Sequence, residues 1–126
     1  MRTDLIFDFE TMGQDVNDCA VIDVSVMVFN WEKMVSDDPY TLADISRCTK
    51  FKLSVKEQVQ DYGWKINEST LKFWSEQSKE VRANIAPKTS DLSVADFVKQ
   101  FTDFLIEGPK IKYWWSRSNT FDPIIL

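Results

Sequence analysis

Residues 20–29, Ala-Val-Ile-Asp-Val-Ser-Val-Met-Val-Phe, place an apolar side chain at every even position from Ala20 to Val28, while Asp23 and Ser25 interrupt the odd positions. A period of two marks a strand with one buried face, and β-branched side chains suit that surface. A strand of this kind has to pair with others and be covered on its apolar side, so the chain must build a sheet. Two other segments offer partners. Residues 4–9 (DLIFDF) read as a short, mostly buried strand, and within residues 49–54 Phe51 and Leu53 alternate with Lys50 and Lys52. The polar stretch from Trp31 to Arg47, which contains Asp37-Asp38-Pro39, reads as an excursion before that strand. Strands in succession without long helices between them predict an antiparallel meander.

After residue 54 the period changes. Residues 68–77 and 78–86 read as two short helices, with Ser78 as the N-cap of the second and Pro87 as its stop. Residues 94–106 give the strongest helical pattern: Val94, Phe97, Val98, Phe101, Phe104 and Leu105 follow i, i+3, i+4, i+7 spacing, and Ser93 with Asp96 resembles a capping box. Gly108-Pro109 ends it, and residues 111–115 (IKYWW) predict a fourth strand. A polar turn (SRSNT) follows, then Asp122-Pro123, which looks like the start of a helix with proline at its first position. Leu126 falls roughly one turn into that helix, too short to recover its nucleation cost. The expectation is therefore the N-terminal portion of a longer protein, read over residues 1–126 as one domain.

Bulk properties narrow the function classes. A chain of 126 residues that is 44% hydrophobic and 13% aromatic is a folded domain, not a disordered tail. It contains no apolar run able to span a bilayer, and the N-terminus is not a secretory signal. Cys19 and Cys48 show no metal-site or disulfide spacing and read as reduced thiols of a cytoplasmic protein. The absence of histidine removes serine-type triads, histidine-bearing zinc sites and histidine acid–base catalysis from these residues. A net charge of −5 argues against a broad basic nucleic-acid platform. It is compatible with an enzyme that grips a few terminal nucleotides and offsets phosphate charge with bound cations.

In a strand, residues i and i+2 share a face, so Asp8 and Glu10 project together from the C-terminal end of the first strand. Two carboxylates so placed repel unless something positive lies between them, and Mg²⁺ or Mn²⁺, hard cations with a preference for oxygen, are the usual solution. Asp122 follows the fourth strand; if that strand runs beside the first, a third carboxylate reaches the same end. Three or four carboxylates can hold two cations about 3.5–4 Å apart for in-line phosphoryl transfer. Blander readings exist. D-x-E is a common tripeptide, and Asp122 before Pro123 is also what an ordinary N-cap looks like.

The segment IFDFETMG resembles the first exonuclease motif of the DEDD superfamily, the ribonuclease T and proofreading-exonuclease group, in which a D-x-E-T strand end supplies two metal ligands. SRSNTFDPIIL is similar to the second motif, which ends in Phe-Asp at the start of a helix. Between them, STLKFWSEQSKEVRANIAP is similar to a tryptophan- and glutamine-bearing helix pair of the phage exonuclease A branch, which groups with the Rv2179c-like exoribonucleases. The blocks occur in the family's order and span the chain. The resemblance implies that Asp8, Glu10 and Asp122 are catalytic metal ligands. It places Thr11 beside the terminal nucleotide through hydrogen bonds and Met12 as an apolar wedge against a base. Trp74 and Gln77 belong to the helix-pair motif; Trp74, three residues after Leu71, reads either as a stacking residue or as core. Where the superfamily often has Asn four residues before the second-motif Asp, this chain has Ser118, with Asn119 one place off, so both stand as substrate-binding candidates. The third motif, with its fourth Asp and its His or Tyr, is absent.

The resulting expectation is an α/β, ribonuclease-H-like mixed sheet, C-terminally incomplete: a three-strand antiparallel meander, helices, then a fourth strand parallel to the first. The implied activity is that of a Mg²⁺- or Mn²⁺-dependent 3′–5′ exonuclease acting on the 3′ end of single-stranded DNA or RNA and releasing 5′-mononucleotides. Catalysis by these residues alone is not expected. One rival is a catalytically dead remnant that binds nucleic acid or a partner; an open sheet edge and an unfinished helix would favour a homodimer or swapping of elements between chains. The other is a haloacid-dehalogenase-type phosphatase, against which Glu10 stands where that family requires aspartate.

Overall fold

The computed structural model describes residues 3–15 and 17–116. The alternating segments pair as their patterns demand. Strand β1 (Thr3–Thr11) runs antiparallel to β2 (Val21–Asn30), from Thr3 opposite Asn30 to Thr11 opposite Val21, and the register shifts between Glu10 and Thr11. Asn30 ends β2 and caps the next element, its side chain accepting from the Lys33 N–H to open α1 (Trp31–Met34). A reciprocal capping box between Thr41 and Asp44 opens α2 (Leu42–Ser46). The excursion expected from Trp31 to Arg47 therefore holds two short helices, both secured by caps and neither burying a residue.

Strand β3 (Thr49–Lys52) pairs antiparallel with β2, which completes the meander. It ends two residues before the alternation does, because Leu53 turns to make a bridge with Leu92. Helix α3 (Val55–Tyr62) was not legible in the sequence. Ser54 caps it, Gly63 ends it at a φ of 69°, and the residue it buries is Gln58, not an apolar one. Helices α4 (Glu68–Ser75) and α5 (Lys79–Ile85) meet at Ser78, which caps α5 as its sequence position predicts. Helix α6 (Val94–Glu107) has Ser93 as its N-cap, accepting from the Asp96 N–H. Strand β4 (Tyr113–Trp115) then pairs with β1 in parallel, giving the sheet order β3-β2-β1-β4. This is the mixed sheet of the ribonuclease-H-like arrangement.

One face of the sheet carries the core. Leu5, Phe7 and Phe9 of β1, Val24 and Val26 of β2, and Phe51 and Leu53 are buried there with Phe101 of α6. Phe97, Phe101 and Phe104 set their rings edge-on to Phe51 at 5.7, 5.9 and 6.1 Å. Each such side chain removed from water contributes about 1.5–3 kcal/mol, so α6 is held to the sheet by this aromatic row. Among the described residues no helix is long and apolar enough to cross a membrane. With the core on the odd-numbered face of β1, the even-numbered face is left to present polar groups.

Candidate active site

That second face is built in rows by the strand register. Asp8 of β1 lies opposite Ser25 of β2, and Ser25 lies opposite Lys50 of β3. In the next row Glu10 lies opposite Asp23, and Asp23 opposite Lys52. Residues directly opposite one another point to the same side, with Cβ atoms about 4.5–5.5 Å apart. Asp8 is exposed and Glu10 half-buried at the C-terminal end of β1, as i, i+2 spacing requires. Asp23, absent from the candidates read from the sequence, is 3% exposed.

The electrostatics of these rows are uneven. Lys52 Nζ reaches both oxygens of Asp91, at 2.8 and 2.9 Å, in a largely buried ion pair. Its hydrogen bonds therefore go to Asp91 and not to Asp23. Asp23 Oδ1 is buried and has no hydrogen-bond donor among the described residues, a condition that costs about 1–3 kcal/mol for a polar group and more for a charged one. Burial pushes the Asp23 carboxyl above its usual range; Lys50 and Lys52 oppose the shift and Asp8 adds to it. Among the described residues, no three acidic or thiol side chains converge closely enough to hold an ion by themselves.

Strand β4 joins the other side of β1, with Asp4, Leu5 and Ile6 opposite Tyr113, Trp114 and Trp115. Trp115 Nε1 donates to the buried Asp4 Oδ2 at 2.7 Å and its ring stacks on Trp31 at 5.4 Å, which locks the pairing. Because the pairing is parallel, β4 runs in the same direction as β1. The candidates beyond it, Ser118, Asn119 and Asp122, together with the helix expected at Asp122-Pro123, lie outside the described residues.

Past the end of β1 the backbone is held from several sides. The Thr11 hydroxyl donates to the Gly13 carbonyl at 2.6 Å, so it is turned inward along its own loop. Met12 N–H donates to the Ala20 carbonyl at 2.8 Å, and the Met12 carbonyl accepts from Asn67 N–H at 2.7 Å. Trp74 Nε1 donates to the Thr11 carbonyl at 2.9 Å. Trp74 is thus half-buried and fastened to the strand end that carries the carboxylates. Beside it, Met12, Ile22, Leu71, Trp74 and Ile85 line an apolar recess of about 320 Å³, with Arg82 among the lining residues. Gln77 is used locally, its Nε2 donating to the Phe73 carbonyl at the end of α4.

Two residues that sequence reading passed over thus shape the site. Asp23 left a trace, as a charged residue inside an otherwise apolar strand. Gln58 left none: its Oε1 accepts from Val21 N–H at 2.7 Å and its Nε2 donates to the Val21 carbonyl at 2.8 Å, which fixes the start of β2 behind the carboxylates.

Comparison with known proteins identifies the family. The family model of the Rv2179c-like 3′–5′ exoribonuclease domain matches residues 3–126. The chain is similar to an exodeoxyribonuclease of Enterobacteria phage T4, with 37% identity over 129 residues, covering 98% of the chain. The same match covers 54% of that relative, so the chain spans about half its length. A match over nearly all residues, on a sheet whose first strand ends in Asp8 and Glu10, shows that the chain belongs to the Rv2179c-like 3′–5′ exoribonuclease domain family.

Proposed function

We propose that the protein is a divalent-cation-dependent 3′–5′ exonuclease that removes nucleotides one at a time from the 3′ end of single-stranded DNA or RNA, releasing 5′-mononucleotides. The observation that carries this reading is the placement of Asp8 and Glu10 on one face at the C-terminal end of β1, the strand end whose next residue, Met12, lines the apolar recess. Both side chains offer carboxylate oxygens, the donor type that a hard cation prefers. Asp8 and Glu10 would hold Mg²⁺ or Mn²⁺, with Asp122 assigned to the same task by its motif. Bound there, such a cation would activate water and offset charge on the scissile phosphate.

The chain's own residues would do the positioning. Trp74 fixes the Thr11 carbonyl, which keeps Met12 at the recess where an apolar wall can meet a nucleobase. Thr11 is assigned to the terminal nucleotide by the first motif, and Ser118 and Asn119 to the substrate's backbone or sugar through the second. The family model is named for exoribonucleases and the phage relative for deoxyribonucleic acid, so both polymers belong in the test. We place the protein in the cytoplasm, or the host cytoplasm if phage-encoded, where its free Cys19 and Cys48 would stay reduced.

The test is digestion of 5′-labelled DNA and RNA oligonucleotides by the full-length protein with Mg²⁺ or Mn²⁺. The expected pattern is a ladder shortening from the 3′ end, abolished by chelation. Asp8→Ala and Asp122→Ala should each lower the rate by about 10²–10³-fold, the worth of several kcal/mol of charge stabilisation. Equal digestion by wild type and both variants would sink the assignment.

A further inference from the structure

We propose that Asp23 is a positioning residue of the cation site, its buried Oδ1 accepting a hydrogen bond from water bound to the cation that Asp8 and Glu10 hold. The inference rests on the reading above and goes beyond it by adding a side chain from a second strand. Three observations carry it. Asp23 stands directly opposite Glu10 and diagonal to Asp8, on the same face of the sheet. Its Oδ1 is buried and, among the described residues, no donor reaches it. Lys52, directly opposite Asp23 across the ladder, is held by both oxygens of Asp91, and Lys50 stands one row away, opposite Ser25.

The remaining question is whether Asp23 would ligate the cation or act through its hydration shell. Asp8, Glu10 and Asp23 do not converge as a set able to hold one ion. Asp23 is 3% exposed whereas Asp8 is exposed and Glu10 half-buried, so its carboxylate lies deeper than theirs, which favours a water between Asp23 and the cation over a direct bond. Partners of this kind orient what the direct ligands hold, and their loss commonly weakens metal binding by about 10–100-fold. The alternative is that Asp23 only balances the charges of Lys50 and Lys52 within the sheet. In that case its replacement would leave cation affinity untouched.

Calorimetric titration of the full-length protein with Mn²⁺ separates the two. Asp23→Asn keeps the shape and removes the charge; it should bind Mn²⁺ about tenfold more weakly than wild type, with a cation-free melting temperature no lower. Affinity within twofold of wild type would overturn the proposal. A second measurement needs no variant. On adding Mg²⁺ to the wild-type protein, the Asp23 ¹³Cγ resonance should shift along with that of Glu10, and a Glu10 shift without an Asp23 shift would also overturn it. Asp8→Ala serves as the control. If wild type fails to bind Mn²⁺, or Asp8→Ala binds it equally well, the cation site itself is wrong and this inference falls with it. If Asp8→Ala loses binding and Asp23→Asn retains it, only the role of Asp23 is refuted.

Discussion

Gly13 follows Met12 at the mouth of the site, and a Cβ built on it would stand 3.0 Å from the Cβ of Cys19. Neither side of that contact can give way easily. Cys19 is buried and forms a bridge with Lys65, while Asn67 N–H holds the Met12 carbonyl at 2.7 Å. Gly13→Ala should therefore destabilise the protein by about 1–3 kcal/mol, the usual cost of overpacking. Urea unfolding measures this directly, and an unchanged midpoint would show that the 12–20 segment yields. The same burial raises the Cys19 pKa and keeps its thiol protonated at neutral pH, which is a packing role and not a reactive one.

At the scale of elements, Gln58 does for β2 what a neighbouring strand would do. Its amide pairs with both the N–H and the carbonyl of Val21, and Nε2 also reaches the Ser54 carbonyl at 3.0 Å. Helix α3 is thereby stitched to the start of the strand that presents Asp23. Gln58→Leu keeps the volume and strands the Val21 groups without partners. The expected loss is on the order of 2–4 kcal/mol, read as a lower denaturant midpoint with an unchanged slope. A loss below about 0.5 kcal/mol would mean that water replaces the amide there. The Lys52–Asp91 ion pair plays a parallel part, tying β3 to the turn that precedes α6.

For the molecule as a whole, net charge and site geometry together set how a polyanion is approached. With a formal charge of −5 and carboxylates at the open end of the sheet, long stretches of phosphate are not attracted. On the proposed function, affinity comes from bound cations and from apolar contact in the recess beside Trp74. Oligonucleotide binding by the full-length protein without divalent cation should accordingly show a shallow salt dependence, a log–log slope of magnitude below about 2. Fluorescence anisotropy from 50 to 300 mM NaCl (about a sixfold range) reads this slope. A slope near −6 would reveal a basic track that the present reading lacks.

The sequence alone determined the strands, the helix at 94–106 and the pairing of Asp8 with Glu10. Each depends only on local period: two residues for a strand face, three to four for a helix face, i, i+2 for a shared side. Motif order was also legible, because it is a property of the chain and not of its path. Tertiary structure decided the rest. The 12–20 connection is too long for a turn to dictate the hairpin register, so only the folded sheet brings Asp23 opposite Glu10. Helix α3 escaped notice because the residue it buries is a glutamine whose partners lie 37 positions away. Trp74 reads from its spacing as core or as part of the site, and only the fold places its indole N–H on the Thr11 carbonyl. Asp8 and Glu10 were thus visible from spacing, whereas their neighbours across the sheet emerged only from long-range pairing.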